Sequence, residues 1–208
     1  MNFNILEINK WYETEAGKIN GNLVTCFINT IIKDKLDKNI LYIGPDNIIK
    51  KIMQDNLSFK SIFISTSKNC DIKAEVENLP LKESSIDCAV LIHALETNKN
   101  PHAVFREIDR VLTEDGEIIL TSFNKMSFIG IINIFRIDTI FKNKSYISIS
   151  RLEDWAKLLS YEIHRIFNIN KIPPLKNIKI LKYLSFLNNS IFSKANFFGY
   201  TYIIHAKK

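Results

Sequence analysis

Hydrophobic positions along this chain follow two rhythms, and the switches between them mark its elements. Residues 22–36 place Leu23, Phe27, Ile31 and Ile32 at helical spacing on one buried face. "NILYIG" then forms a short apolar run closed by Gly44, the pattern of a buried strand meeting a turn. In "PDNIIKKIMQDN" either Pro45 or Asp46 opens a helix whose inner face is Ile48, Ile49, Ile52 and Met53. "KSIFIS" predicts a second strand, and the stretch from Asp71 to Ala74 a short third one. "IDCAVLIHAL" is almost wholly apolar, as in the middle of a parallel sheet. Asn100 and Pro101 supply a cap and an N1 proline for a helix buried through Val104, Phe105, Ile108, Val111 and Leu112. "TEDGEIILTSF" is a glycine turn feeding a fifth strand.

After residue 125 the pattern changes. "MSFIGIINIFRIDTIF" is strongly apolar and reads as helix. Ser150 and Glu153 have the spacing of a capping box for a helix through Trp155, Leu158 and Leu159. "YEIHRIFNI" predicts a strand, Pro173-Pro174 a break, "LKNIKILKYLSFL" an amphipathic helix and "FFGYTYIIHAKK" a closing strand. Alternating strands and helices argue for one doubly wound α/β sheet. One link strains this reading. Only residues 66–70 join strands two and three, where a parallel crossover usually needs a dozen or more. Either the crossover helix is missing or the pairing is irregular.

The 208 residues suit a single domain, and 46% hydrophobic with 24% charged residues is ordinary globular composition. No run reaches the roughly 18 apolar residues of a spanning helix, and no leader pattern opens the chain. Cys26, Cys70 and Cys88 show no CxxC spacing, which argues against a disulfide framework or structural zinc and for the cytoplasm. The net charge of +6 is uneven: residues 1–140 carry −3 and residues 141–208 carry +9. The basic groups are mostly Lys, with no Arg cluster, so no nucleic-acid partner is expected. Lys176, Lys179 and Lys182 stand at i, i+3, i+6, which fits a lid or packing helix with a wet face, or a weak peripheral membrane contact.

Ligands of such sheets bind beyond the carboxyl ends of the strands. Gly44 stands there, either as a plain strand-to-helix turn or as a point of close backbone approach. With no further glycines, a dinucleotide or nucleoside triphosphate is disfavoured. His93 ends the fourth strand, either as a satisfied core residue or as a general base. Glu96 and Asn124 follow strands four and five, as caps or as substrate contacts. Asp109 and Arg110 read as surface pairs, and the histidines share no metal-ligand spacing.

The block from Glu75 to Asn124, with "NLPL", "IDCAVLIHALE", "REIDRVL" and "EDGEIILTSFN" in order, resembles the class I S-adenosylmethionine-dependent methyltransferases of the type-11 group. The Trp11 region, "ILYIG", "LEDWAKLL" and the final strand extend the resemblance to a small bacterial branch and to the whole chain. It implies a sheet ordered 3-2-1-4-5-7-6 with strand seven antiparallel. It implies a cofactor core over 1–125, a helical cap and substrate region over 126–195 and a closing strand over 196–208. It also implies S-adenosylmethionine as cofactor and methyl transfer to a small-molecule acceptor. By the resemblance, Gly44, Ser65, Glu75, Val76 and His93 line the cofactor, with His93 beside the reacting atoms and Glu96 and Asn124 near the acceptor. Asp87 is a structural residue of the fourth strand. Gly44→Val is then expected to abolish cofactor binding without unfolding the protein.

The chain departs from the family at four places. Tyr42 stands where an acidic residue normally opens the glycine loop, and Asp46 and Ile48 stand for the second and third glycines. Ser65 and Thr66 stand where a carboxylate normally holds the ribose hydroxyls. These departures favour an alternative reading, a degenerate methyltransferase fold that serves as a binding or assembly partner.

Overall fold

A computed structural model describes residues 2–35, 37–56, 60–67, 69–124, 141, 144–170 and 199–208. Its strands are β1 (Ile40–Ile43), β2 (Ser61–Ser65), β3 (Ile72–Lys73), β4 (Ile86–Ile92), β5 (Leu112–Phe123), β6 (Glu162–Ile169) and β7 (Thr201–Lys207). They form one sheet ordered β3-β2-β1-β4-β5-β7-β6, the order implied by the resemblance. Strands β1 to β5 pair in parallel, and β7 runs antiparallel to both β5 and β6.

Alternation along each strand divides the core into two layers. Leu41 and Ile43 of β1, with Ala89 and Leu91 of β4, face a cluster completed by α5 (Pro101–Val111) and α6 (Ile149–Leu158). Ile40, Tyr42, Cys88, Val90 and Ile92 face the opposite layer of α1 (Ile5–Tyr12), α2 (Glu15–Ile32) and α3 (Asp46–Asp55). Both faces being covered explains why β1 and β4 are unbroken apolar runs.

The helix placed at 22–36 begins earlier, at Glu15, because Thr14 caps it by accepting from the Gly17 N–H, and it ends at Ile32. Helix α1, capped by Asn4, was not anticipated. Asn100 and Pro101 cap α5 as expected, with Asn100 accepting from the Ala103 N–H. The capping box at Ser150 does not form. Ser148 is the N-cap of α6 and accepts from the Arg151 N–H, so Ser150 lies inside the helix.

The short link from β2 to β3 contains no helix among the described residues. Asp71 closes it by exchanging two bonds with Phe63: its N–H donates to the Phe63 carbonyl at 2.9 Å, and its carboxylate accepts from the Phe63 N–H at 2.8 Å. The pairing is therefore a two-residue irregular edge. In β5 the partner of β4 jumps from Leu112 to Glu117, so Thr113–Gly116 bulges out where the glycine turn was predicted. The apolar stretch at 126–140 and the basic helix with Lys176, Lys179 and Lys182 lie outside the described residues. Among the described residues no helix is long and apolar enough to cross a membrane.

Candidate active site

The carboxyl ends of the central strands frame a pocket. Ile43 ends β1 and Gly44 follows it, Ile64 and Ser65 end β2 and Thr66 follows them, and Val76 comes from the loop after β3. Ala94 and Thr97 of α4 (Ala94–Thr97), with Asn98, line the side toward β4, and Ile5 of α1 supplies the remaining wall. Its volume is about 90 Å³. That is below the roughly 300–1,000 Å³ of typical small-molecule sites, so a nucleoside-sized ligand must displace Ile5 or extend into the open groove.

Gly44 is required by the sheet before any ligand is considered. A Cβ there would lie 2.6 Å from the Ile92 carbonyl oxygen and 2.9 Å from the Ile92 Cβ. Its φ of +156° adds to the strain of any substitution. Gly44→Val is thus a folding variant, which corrects the expectation that it would spare the fold.

Of the expected cofactor residues, Gly44, Ser65 and Val76 line the pocket. Glu75 is exposed, in the shallow outer groove with Lys73 and Asn78. His93, Glu96 and Asn124 do not reach the pocket wall; all three are buried.

His93 instead joins a buried polar chain. Its Nε2 lies 2.7 Å from the Tyr12 hydroxyl and its Nδ1 2.5 Å from Glu96 Oε1. Asn20 donates to the Tyr12 hydroxyl oxygen at 3.3 Å. One tautomer satisfies every contact: Asn20 donates to Tyr12, Tyr12 donates to Nε2, and Nδ1–H donates to Glu96. The ring stacks on Phe123 at 4.0 Å between centroids. The backbone of His93 is left-handed, with φ of +55°. Such a conformation costs energy outside glycine and is held by its surroundings. Burial raises the pKa of Glu96, opposed by the adjacent His93, and burial raises that of Tyr12. Glu96 Oε2 has no hydrogen-bond partner among the described residues. Asn124 donates to the Gly199 carbonyl at 3.1 Å and to Asn168 at 3.3 Å. It ties the end of β5 to β6 and to the residues that lead into β7.

The loop carrying "NLPL" is held by α5. Glu107 accepts from the Leu79 N–H at 2.8 Å, and Arg110 donates to the carbonyls of Leu79 and Leu81. Arg110 also pairs with Glu107 at 2.7 Å, and Asp109 with Lys208 at 2.8 Å, as expected of surface pairs, so Arg110 is a loop anchor in addition to being a member of an ion pair. Asp87 accepts from the Asn39 N–H at 2.8 Å, the structural role expected for it. Tyr12, Asn20, Ile5, Thr97 and Asn98 were missed from the sequence. Tyr12 meets His93 across 81 residues, and no local pattern signals such a pairing.

Residues 47–120 match the family described as a methyltransferase domain, of type 11. The chain has the class I methyltransferase fold. A SAM-dependent methyltransferase from Archaeoglobus fulgidus superposes with a TM-score of 0.66 at 16% identity, covering 90% of this chain and 94% of that one. The plantazolicin methyltransferase BamL, in complex with triazolic desmethylPZN analog and SAH, superposes at 0.64 with 13% identity, covering 96% of this chain and 88% of its own. The uncharacterized protein YafS of Escherichia coli is 31% identical over 105 residues, 49% of this chain and 43% of YafS. The chain thus matches under half the length of that relative. Together these bear out the resemblance drawn from the Glu75–Asn124 block.

The match over residues 47–120 and the fold imply S-adenosylmethionine as the cofactor, and the side chains that line the pocket fit its nucleoside end in chemical kind. Ile64 and Val76 offer apolar surface for a base, and Ser65 and Thr66 offer hydroxyls. Asp46, two residues beyond Gly44, is not among the lining residues; its Oδ1 is buried with no partner among the described residues.

Proposed function

We propose that this chain binds S-adenosylmethionine at the pocket over Gly44 and catalyses methyl transfer to a small-molecule acceptor. The observation that carries the reading is the pocket itself, at the carboxyl ends of β1 and β2 in a sheet of methyltransferase order. When bound, the cofactor would supply an electrophilic sulfonium methyl, whose carbon would bond to the acceptor's lone pair as the thioether leaves with the C–S electron pair and the acceptor gives up a proton. The protein's share of such a displacement is chiefly alignment and exclusion of water. Gly44, Ser65 and Val76 take the nucleoside end, and Glu75 flanks it from the outer groove. His93 enters as a positioning residue: it ties α4, whose Ala94 and Thr97 form one pocket wall, to Tyr12 and Glu96. Glu96 and Asn124 shape the acceptor side by holding Phe123 and β7. The acceptor is taken at this edge of the sheet.

A second reading, a binding or assembly protein that keeps the fold without turnover, is favoured by Tyr42. Its side chain faces the α1–α3 layer and brings no carboxylate to the pocket. Calorimetric titration with S-adenosylmethionine and S-adenosylhomocysteine, followed by a labelled-methyl acceptor screen, separates the readings. Binding tighter than about 100 μM, roughly −5.5 kcal/mol, supports the enzyme, whereas no heat at millimolar ligand rejects it.

A further inference from the structure

Resting on that reading, we propose that Glu107 and Arg110 are positioning residues that set the base specificity of the cofactor site from outside it. Neither lines the pocket over Gly44. Both hold the loop over residues 75–81, whose Val76 forms part of the pocket wall. Glu107 Oε1 accepts from the Leu79 N–H at 2.8 Å. The Arg110 guanidinium donates to the Leu81 carbonyl at 3.1 and 3.2 Å and to the Leu79 carbonyl at 3.3 Å. The two side chains lock each other as a fork, with Arg110 Nε on Glu107 Oε2 at 2.9 Å and Nη2 on Oε1 at 2.7 Å.

The loop has two anchors, with Val76 between them. Before it, the Ala74 N–H donates to the carbonyl of Ser65, itself a pocket residue, at 3.1 Å. At its end stands the fork on α5. A turn in between, in which the Asn78 N–H donates to the Glu75 carbonyl at 3.1 Å, carries the position of Leu79 back to Val76. Val76 and Leu79 are buried in the same layer as Phe105 and Ile108 of α5. Such apolar packing is non-directional, whereas the hydrogen bonds of the fork fix where the loop backbone stands. In the proposed site the base lies against Ile64 and Val76 and its polar edge is read by that backbone. A site built to pair one edge rejects a base whose donors and acceptors are exchanged. A displacement of about 1 Å is enough to lose such contacts.

The test is calorimetry with S-adenosylhomocysteine and S-inosylhomocysteine, which differ only in the base. Wild-type protein is expected to bind the adenosyl ligand at least about tenfold tighter. Arg110→Ala and Arg110→Lys, with their folds checked by thermal melting, are expected to cut that preference to below about threefold. Lysine is included because it keeps the charge without the fork. In the wild-type protein, S-adenosylhomocysteine is also expected to slow hydrogen exchange of the Leu79 amide, which Glu107 holds. Folded variants that melt earlier yet keep the wild-type preference overturn the inference, since the pair would then serve stability alone. So does Arg110→Lys with a wild-type preference. Equal wild-type affinity for the two ligands, or unchanged exchange at Leu79 on binding, overturns it without recourse to any variant. Wild-type protein that binds neither ligand overturns the proposed function, and the inference with it.

Discussion

His93 Nδ1 lies 2.5 Å from Glu96 Oε1, and neither side chain is accessible to solvent. A histidine so enclosed acts through what it holds in place. Replacing it strands the Tyr12 hydroxyl and the Glu96 carboxylate in the core. His93→Ala is expected to cost about 3 kcal/mol of stability, measured as a shift in urea midpoint. His93→Asn is expected to lose less, because asparagine tolerates the left-handed backbone. A fully stable His93→Ala protein without turnover would instead make the histidine a direct participant.

Gly44→Ala places a methyl group against the Ile92 carbonyl on the neighbouring strand. The expected result is a protein that unfolds earlier whether or not cofactor is present, by at least about 2 kcal/mol. A variant with wild-type melting and lost ligand binding would return Gly44 to a purely ligand-facing role.

Arg110→Ala releases the carbonyls of Leu79 and Leu81 from α5. The guanidinium is partly exposed, so the expected loss is about 1 kcal/mol. Hydrogen exchange is expected to quicken at residues 78–82, while the amides of β4 keep their protection.

Glu117 accepts from Lys35 at 2.6 Å and pairs with His205 at 2.6 Å. These contacts, the His205 bond first, hold its pKa down at about 2. A carboxylate depressed in the folded state stabilises the protein above its unfolded pKa, and the benefit is lost as pH falls through the folded value. Stability is thus expected to drop by roughly 2–3 kcal/mol between about pH 4.5 and pH 2 on account of this group. Glu117→Gln should flatten that part of a stability-against-pH curve from chemical denaturation. An unchanged curve would show that the cluster carries no net energy.

Ile5 walls a cavity of about 90 Å³, too small for a nucleoside. Ile5→Ala is expected to speed ligand association severalfold in stopped-flow mixing, with little effect on melting because Ile5 is only half-buried. Unchanged association would mean that α1 is no barrier to entry.

Much of the architecture was legible in the chain itself. The runs "NILYIG" and "IDCAVLIHAL" announced doubly covered strands because a two-sided core needs apolar groups at consecutive positions. Asn100-Pro101 announced α5 because capping is a local interaction between a side chain and the next turn. The same locality explains the errors. Ser148 and Ser150 are both competent caps, and the choice between them depends on where Leu152, Trp155 and Ala156 must face to reach the core. Helix α1 escaped notice because its burial comes from packing on α2, α3 and β5, which lie far along the chain.

The site divides in the same way. Gly44 and Ser65 stand at strand ends that the hydrophobic rhythm locates, and the family resemblance added Val76, whereas Ile5, Thr97 and Asn98 of the same pocket carry no local signal. Only the tertiary structure decided that His93 turns inward to Tyr12 and Glu96, and that Gly44 answers to Ile92. It also decided that the Asp46 Oδ1 lies buried with no partner among the described residues. The physical reason is that strand and helix periods are written in neighbouring residues, whereas the partner of a buried polar group is set by which distant segments the folded sheet brings into contact.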